Sequence, residues 1–309
     1  MSKLISVILP TRNRAATLGR AIASVLGQSY ADLELIIVDD GSTDRTPELL
    51  REWAGDVRVR AVASPRRGAA AARNHGVSIA RGRYLAFQDS DDEWLPDKLQ
   101  RVMSAFRDAG PETAVVYGDM IQVLPDGSRT EFKAPVVEQG WLIDDATNDF
   151  QVMRIGIQAA VIKRECFEAA GGFDEALPRY IDMELFARLA LRYRFIHLHE
   201  TVAFYYMGSG ISTNRSALVA ARRYLMRKYI ERLRTSPRHL AWQFFHLAEA
   251  LDKNGDKVRG IGWVMRAWVA APRDIGAIRV FYAMTGRWSR VRNPAGGGTP
   301  TNQQRGNAP

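Results

Sequence analysis

Only one cysteine, Cys166, occurs among the 309 residues. No intrachain disulfide and no cysteine-built zinc site can form, and Cys166 reads as a small buried apolar residue. Long apolar runs are missing too. The first, within ISVILP, stops at Pro10 after about six residues, whereas a membrane span needs about 20 and a signal-peptide core is also longer. The expectation is a cytoplasmic protein, free or peripheral at the inner face of the cell membrane. The histidines His75, His197, His199, His239 and His246 are scattered and show no metal-ligand spacing. His197 and His199 share one face of a strand pattern and read as ordinary strand residues. After the first strand no glycine appears before Gly19, so the glycine- and base-rich loop that usually opens a sugar nucleotidyltransferase is absent. An RNA-binding glycine–aromatic signature is absent as well.

What is present is ordinary in amount and uneven in place. Hydrophobic residues make up 46% and charged residues 25% of the chain, as in globular proteins. The length suits one domain of roughly 200–250 residues with an appendage. From Thr213 to Arg292 there are 17 Lys/Arg against 5 Asp/Glu, a net +12, which leaves the remainder at −3. Such a basic segment suits nucleic acid, an anionic membrane or an anionic acceptor. With no nucleic-acid motif in the chain, nucleic acid is not an expected partner. Three regions follow: 1–212 as an α/β domain, 213–292 as a basic helical region broken at Pro237, Gly255 and Pro272, and 293–309 as a Gly/Pro/Asn/Gln-rich tail expected to be disordered.

The first hundred residues alternate strand and helix patterns. Leu4 to Leu9 is a β-rich run. Leu18, Ala21, Ile22, Val25 and Leu26 recur at helical spacing. Leu33 to Val38 is a second strand, after which Ser42 or Thr43 is placed to cap a helix. Val57 to Ala63 and Tyr84 to Phe87 are further strands, with a helix over Ala69 to Ala80 between them. This alternation predicts a mainly parallel sheet. Further on, Asp126-Gly127 predicts a hairpin between Ala114–Val123 and Arg129–Phe132. Residues 134–150 read as a mobile polar loop, 157–163 as a strand, and Asp182 to Arg192 as a helix.

Ligands of such sheets bind beyond the carboxyl ends of the strands, and three polar turns fall there: Pro10-Thr11-Arg12-Asn13, Asp39-Asp40 and Asp89-Ser90-Asp91-Asp92. The last sets three carboxylates within four positions. Carboxylate oxygens suit Mg²⁺ or Mn²⁺ shared with substrate phosphates. The structural alternative is an acidic turn capping a helix that begins near Glu93.

The segments ISVILPTRNRAATLGRAIASVLGQSYADLELIIVDDGSTD and GAAAARNHGVSIARGRYLAFQDSDDEWLPDKL, followed by GGFDE and IDMELFARLA, together resemble the family 2 glycosyltransferases over residues 3–212. The resemblance implies a GT-A nucleotide-diphospho-sugar transferase fold, here with a C-terminal helical appendage, and inverting transfer from a UDP-, GDP- or dTDP-sugar to a saccharide or lipid-linked acceptor in bacterial surface polysaccharide or lipid-linked oligosaccharide synthesis. It places Pro10, Thr11 and Arg12 beside the base and ribose. Asp39 falls on the base, Asp89 near the ribose, and Arg66 or Arg73 adds positive charge near the donor. Asp91, with Asp92 as its alternate, would ligate Mn²⁺ or Mg²⁺. Asp182 matches the catalytic base, with Asp174, Glu175 and Glu184 as the next carboxylates.

The chemistry is consistent with those roles. Inverting transfer needs one carboxylate to accept the acceptor hydroxyl's proton and a metal to neutralise the departing diphosphate. A helix start at Asp182 predicts a lowered pKa and a weakened base. Two departures from the family pattern stand out: Ile181 replaces the usual Glu before the base, and FYYMGSGIS lacks the histidine often found after the last strand. Loops 134–150 and 205–215 would set specificity. The competing readings are a sugar nucleotidyltransferase and a non-catalytic nucleotide-sugar-binding module.

Overall fold

In this computed structural model the described residues are 3–65, 67–140, 142–145, 147–208 and 214–285. The chain divides into two compact units, Met1–Asn214 and Arg215–Pro309.

The first unit is organised by two mostly apolar strands. β1 (Ile5–Thr11) and β2 (Leu33–Asp39) are buried almost throughout, the pattern of parallel strands covered on both faces. Their register runs from Ile5 opposite Leu33 to Thr11 opposite Asp39, so the two strands end level. The connecting α1 (Leu18–Leu26) turns Leu18, Ala21, Ile22 and Val25 onto the sheet. β3 (Val59–Ala63) joins β2 after α2 (Thr46–Glu52), and β4 (Tyr84–Phe87) joins β1 after α3 (Ala69–Ser78); both pairings are parallel.

Beyond β4 the sheet becomes mixed. The order is β3-β2-β1-β4-β8 (Ala160–Lys163)-β6 (Thr113–Val123)-β9 (Arg194–Tyr206)-β5 (Glu93–Trp94), with β7 (Arg129–Phe132) also on β6. β5 (Glu93–Trp94) and α4 (Lys98–Asp108) precede β6 (Thr113–Val123) and β7 (Arg129–Phe132). A 3₁₀ turn over Ile157–Ala159 leads into β8 (Ala160–Lys163). Then come α5 (Arg164–Ala169), α6 (Ile181–Ala190) and β9 (Arg194–Tyr206). β8 is antiparallel to both β4 and β6, whereas β9 runs parallel to β6. The parallel pattern expected of the sheet therefore holds for β1 to β4 and not for the whole.

Other expectations shift locally. Glu93 does not open a helix: Glu93 and Trp94 pair with Phe204 and Ala203, and α4 starts at Lys98. Ser42 does not cap α2, which starts at Thr46; its Oγ accepts the Asn13 N–H at 2.9 Å instead. The Asp126-Gly127 hairpin forms between β6 and β7. Residues 134–150 carry apolar anchors of their own, with Ala134, Val137, Leu142, Ile143 and Phe150 buried.

The second unit comprises α7 (Arg215–Lys228), α8 (Ile230–Leu233), α9 (Pro237–Lys253), α10 (Lys257–Ala270) and α11 (Pro272–Met284). Ser236 and Asp256 cap α9 and α10 by accepting the His239 and Arg259 N–H groups. α10 lies close on α9: a Cβ added at Gly260 would come within 3.2 Å of the Ala248 carbonyl oxygen. Among the described residues no helix is long and apolar enough to cross a membrane. The expected disordered tail, 293–309, lies outside the described residues, as do 286–292 at the end of the basic helical region.

Candidate active site

The level ends of β1 and β2 place their turns side by side. The Asp40 N–H donates to the Thr11 carbonyl at 2.9 Å. Asn13, at φ 52°, accepts the Thr43 N–H at 2.8 Å, and the Arg14 N–H donates to Thr46 Oγ1. The β4 turn is tied to the same place: Arg14 Nη2 lies 3.3 Å from Asp91 Oδ2, and Arg20 Nη2 donates to the Asp91 carbonyl at 2.6 Å. The three polar turns thus form one stitched rim.

Above that rim is a cavity of about 790 Å³. Pro10, Thr11, Arg12, Arg73, Asp89, Asp91 and Asp182 all line it. Thr11 Oγ1 is buried there without a hydrogen-bond partner, which leaves it available to a ligand. Asp39 does not line the cavity; its carboxylate accepts the Ser42 N–H at 3.0 Å. Its neighbour Asp40 does line it, while also accepting the Arg67 and Gly68 N–H groups ahead of α3. Arg66 lies outside the described residues.

Asp92 is placed differently from Asp91. It is 1% exposed and absent from the lining. One oxygen accepts the Tyr206 N–H at 2.9 Å and the other accepts Gln158 Nε2 at 2.8 Å. With both oxygens engaged inside the protein, Asp92 fits a structural role better than a metal ligand's. Asp89 and Asp91 are the carboxylates of this turn that face the cavity. Burial, then the charge of Asp89, pushes the Asp91 carboxyl up, against the pull of Arg14 and Arg20. Two carboxylates that repel each other across one turn, even with Arg14 and Arg73 beside them, fit a hard divalent cation. Among the described residues no group of three or more His, Cys, Asp or Glu side chains converges on a metal position. A cation here would complete its shell with phosphate and water oxygens.

Another wall is formed by Arg179–Met183, and the GGFDE turn, which does not itself line the cavity, braces the helix behind it. Gly171 and Gly172 adopt φ 86° and 72°, left-handed values that favour glycine. Asn74 of α3 holds Phe173 by both its N–H (2.9 Å) and its carbonyl (2.9 Å). Arg188 of α6 holds the turn from the other side, donating to the Gly172 carbonyl at 2.6 Å while pairing with the fully buried Glu184 at 2.8 Å. α6 is thereby locked against the turn, and the left-handed Tyr180 (φ 64°) leads directly into it.

Of the four carboxylates considered for the base, Asp182 alone lines the cavity. Glu184 is bound to Arg188, Glu175 to Arg67 and Asn74, and Asp174 accepts the Ala176 N–H. The protonation of Asp182 departs from expectation. Burial pushes its carboxyl above the usual range, against the pull of Arg73 and the Met183 N–H, and the charge of Asp89 adds to the rise. Desolvation outweighs the helix terminus, making Asp182 a stronger base than the sequence suggests. Arg73 joins the two walls: its guanidinium lies 2.6 Å from Asp89.

Several lining residues escaped the sequence reading. Arg14 belongs to the PTRNR turn, so its position was visible but not its pairing with Asp91. Gln158, Arg154 (φ 80°), Arg179 and Tyr205 come from distant segments that only the antiparallel half of the sheet brings in. His197 is a strand residue with one special contact, its Nε2 lying 2.7 Å from Asp119 Oδ1.

A parallel sheet with a carboxylate turn at its rim, continued by a mixed half that carries a second carboxylate across one cavity, defines the GT-A fold of nucleotide-diphospho-sugar transferases. The chain belongs to glycosyl transferase family 2, whose family model matches residues 6–158. It is 41% identical over 102 residues to the UDP-Glc:alpha-D-GlcNAc-diphosphoundecaprenol beta-1,3-glucosyltransferase WfgD of Escherichia coli, covering 33% of this chain and 40% of that one. The aligned stretches span 16% to 41% of the lengths of the curated relatives. Among solved structures, S. aureus TarS 1-349 with UDP-GlcNAc superposes with a TM-score of 0.62 at 16% identity, over 93% of this chain and 89% of that one. The mannosyltransferase PcManGT of Pyrobaculum calidifontis, solved with GDP-Man and Mn2+, superposes with a TM-score of 0.57 at 21% identity, over 94% and 81%. These two likenesses concern the fold.

Proposed function

We propose that the protein is an inverting glycosyltransferase that moves a sugar from a nucleotide-diphosphate donor to an acceptor hydroxyl, in synthesis of a bacterial surface polysaccharide or lipid-linked oligosaccharide. The observation that carries this reading is the single cavity lined by Asp89 and Asp91 on one wall and Asp182 on another. Pro10, Thr11, Arg12 and Asp40 line the part beside the β1 and β2 turns and would hold the nucleoside. Asp39, just behind them, would act through the Ser42 turn. A divalent Mn²⁺ or Mg²⁺ held by Asp91, with Asp89 beside it, would neutralise charge on the departing diphosphate. Arg73 would keep Asp89 oriented and temper the charge of Asp182. The raised basicity of Asp182 suits it to take the acceptor hydroxyl's proton, and the GGFDE turn would fix its approach. The basic region 213–292 is read as a contact for an anionic membrane or acceptor, consistent with the lipid-linked substrate in the relative's name.

A thermal-shift screen of UDP-, GDP- and dTDP-sugars with and without Mn²⁺ tests the donor assignment, since a ligand of the folded state raises apparent stability. One nucleotide class should raise Tm only with the metal present. Sugar-nucleotide turnover that is insensitive to both metal and Asp182→Asn would sink the reading.

A further inference from the structure

The exposed apolar surface of the second unit is concentrated on one helix. α10 buries Gly260, Val264 and Ala267, the latter two in a cluster with Ala241, Phe245 and Ala248 of α9. The other side of α10 leaves Val258 (84% exposed), Ile261, Met265, Trp268 and Val269 (72%) in solvent. Their spacing of three, four, three and one residues puts all five on one helical face. They are five of the nine large apolar side chains exposed among the described residues, so this is a patch rather than scatter.

Its borders are cationic. At 100° per residue Lys257 falls on one side of the stripe and Arg259 and Arg266 on the other. α10 contains no carboxylate. The nearest acid is the capping Asp256, which pairs with Arg259 at 3.2 Å. An apolar stripe carrying a tryptophan and edged by cations matches the interface of an anionic bilayer, where apolar side chains enter the acyl boundary and cations meet lipid phosphates. A second copy of the chain fits less well: pairing two stripes antiparallel would set Arg259 of each against Arg266 of the other, a like-charge contact.

We infer that α10 is a membrane-seating face whose Val258–Val269 stripe inserts into the interface of anionic lipid. This deepens the proposed membrane contact of the basic region and rests on it, not on the transfer chemistry.

The test is flotation of the full chain with vesicles of equal phosphatidylglycerol and phosphatidylcholine, compared with phosphatidylcholine alone. The parent should float with the anionic vesicles. Met265→Gln with Trp268→Gln leaves every charge in place and should weaken that binding by about tenfold or more; both side chains are partly covered at 39% exposure, so flotation is compared well below each variant's measured Tm. Val258→Gln, at the most exposed position of the stripe, gives a second variant that spares the α9 contact. Met265→Leu with Trp268→Phe should restore binding. Equal flotation of parent and glutamine variants would show adsorption by charge alone and overturn the inserted stripe. A parent that ignores the vesicles but forms a dimer abolished by the glutamine variants would assign the stripe to a second copy. Nucleotide binding by the same variants should stay at the parent's level, so this inference and the transferase reading fail separately.

Discussion

Two carboxylates of the first unit, Glu34 in β2 and Asp182 at the start of α6, have opposite surroundings. Glu34, near the amino end of β2, accepts Ser6 Oγ at 2.6 Å, the Arg81 N–H at 2.7 Å and Arg81 Nε at 2.9 Å. Burial alone would raise its pKa, yet the Ser6 and Arg81 hydrogen bonds outweigh that and hold it low. Asp182, at the carboxyl rim, is left with burial dominant and a raised pKa. The same fold can outweigh the burial of a charge with hydrogen bonds, so a carboxylate left with burial dominant reads as a property of the site. Groups whose protonated form is favoured in this way are the ones ready to take a proton or a cation.

The largest break of this contrast is expected from Asp91→Ala. Transfer should nearly vanish, and nucleotide binding should lose its response to Mn²⁺ in calorimetry. Normal turnover with unchanged metal response would refute the assignment.

Asp182→Asn should lower transfer by about 10²–10⁴-fold, with donor binding unaltered. The side chain keeps its shape and loses only its ability to take a proton. The acid limb of the parent's pH–rate profile should lie above the usual carboxylate range and disappear in the variant. A raised folded pKa makes the protonated form the more stabilising one, with stability lost as pH rises through that pKa. Removing the charge should therefore hold or raise Tm at neutral pH, as measured by calorimetry. A clear drop in Tm would make Asp182 a structural cap.

Glu34→Gln should do the reverse. Its lowered folded pKa supplies stability above the unfolded value that is lost as pH falls through the folded one. The variant should lose about 1–3 kcal/mol at neutral pH, the scale for stripping a buried hydrogen-bonded charge of its match, and the loss should shrink in acid. Transfer measured well below the new Tm should stay at parental level.

The smallest effect is expected from a chain ending at Asn214. Nucleotide affinity should remain within about twofold, since every proposed donor contact precedes that point, while flotation with anionic vesicles should be lost with the +12 segment. Equal vesicle binding by both chains would exclude the second unit from membrane contact.

The sequence revealed the parallel half of the fold and much of the donor side because those signals are local. β1 and β2 are mostly apolar runs, interrupted only by Ser6 and Glu34 near their starts, and the polar residues that end them follow directly in the chain. The antiparallel half was harder to see. β5 is two residues long and owes its existence to pairing with Phe204 and Ala203, more than a hundred positions away in sequence. Burial misled the pKa expectation for Asp182 in a similar way: a helix start is visible in sequence, whereas the desolvation that raises its pKa depends on tertiary packing. Asp92 shows the same limit, since an acidic turn cannot announce which of its members will face inward.

The inward-facing Asp92 has a mechanical consequence. Its carboxylate accepts from Gln158 Nε2 and the Tyr206 N–H, and the carbonyl of Gln158 accepts an Nζ–H of the fully buried Lys98. The acidic turn, the start of α4, the 3₁₀ segment and the end of β9 therefore share one rivet. Any displacement of the acceptor-side segments is transmitted to the residue next to Asp91. A change at Gln158, which lines the cavity and lies far from the acidic turn in sequence, should be felt first as a poorer grip on the donor.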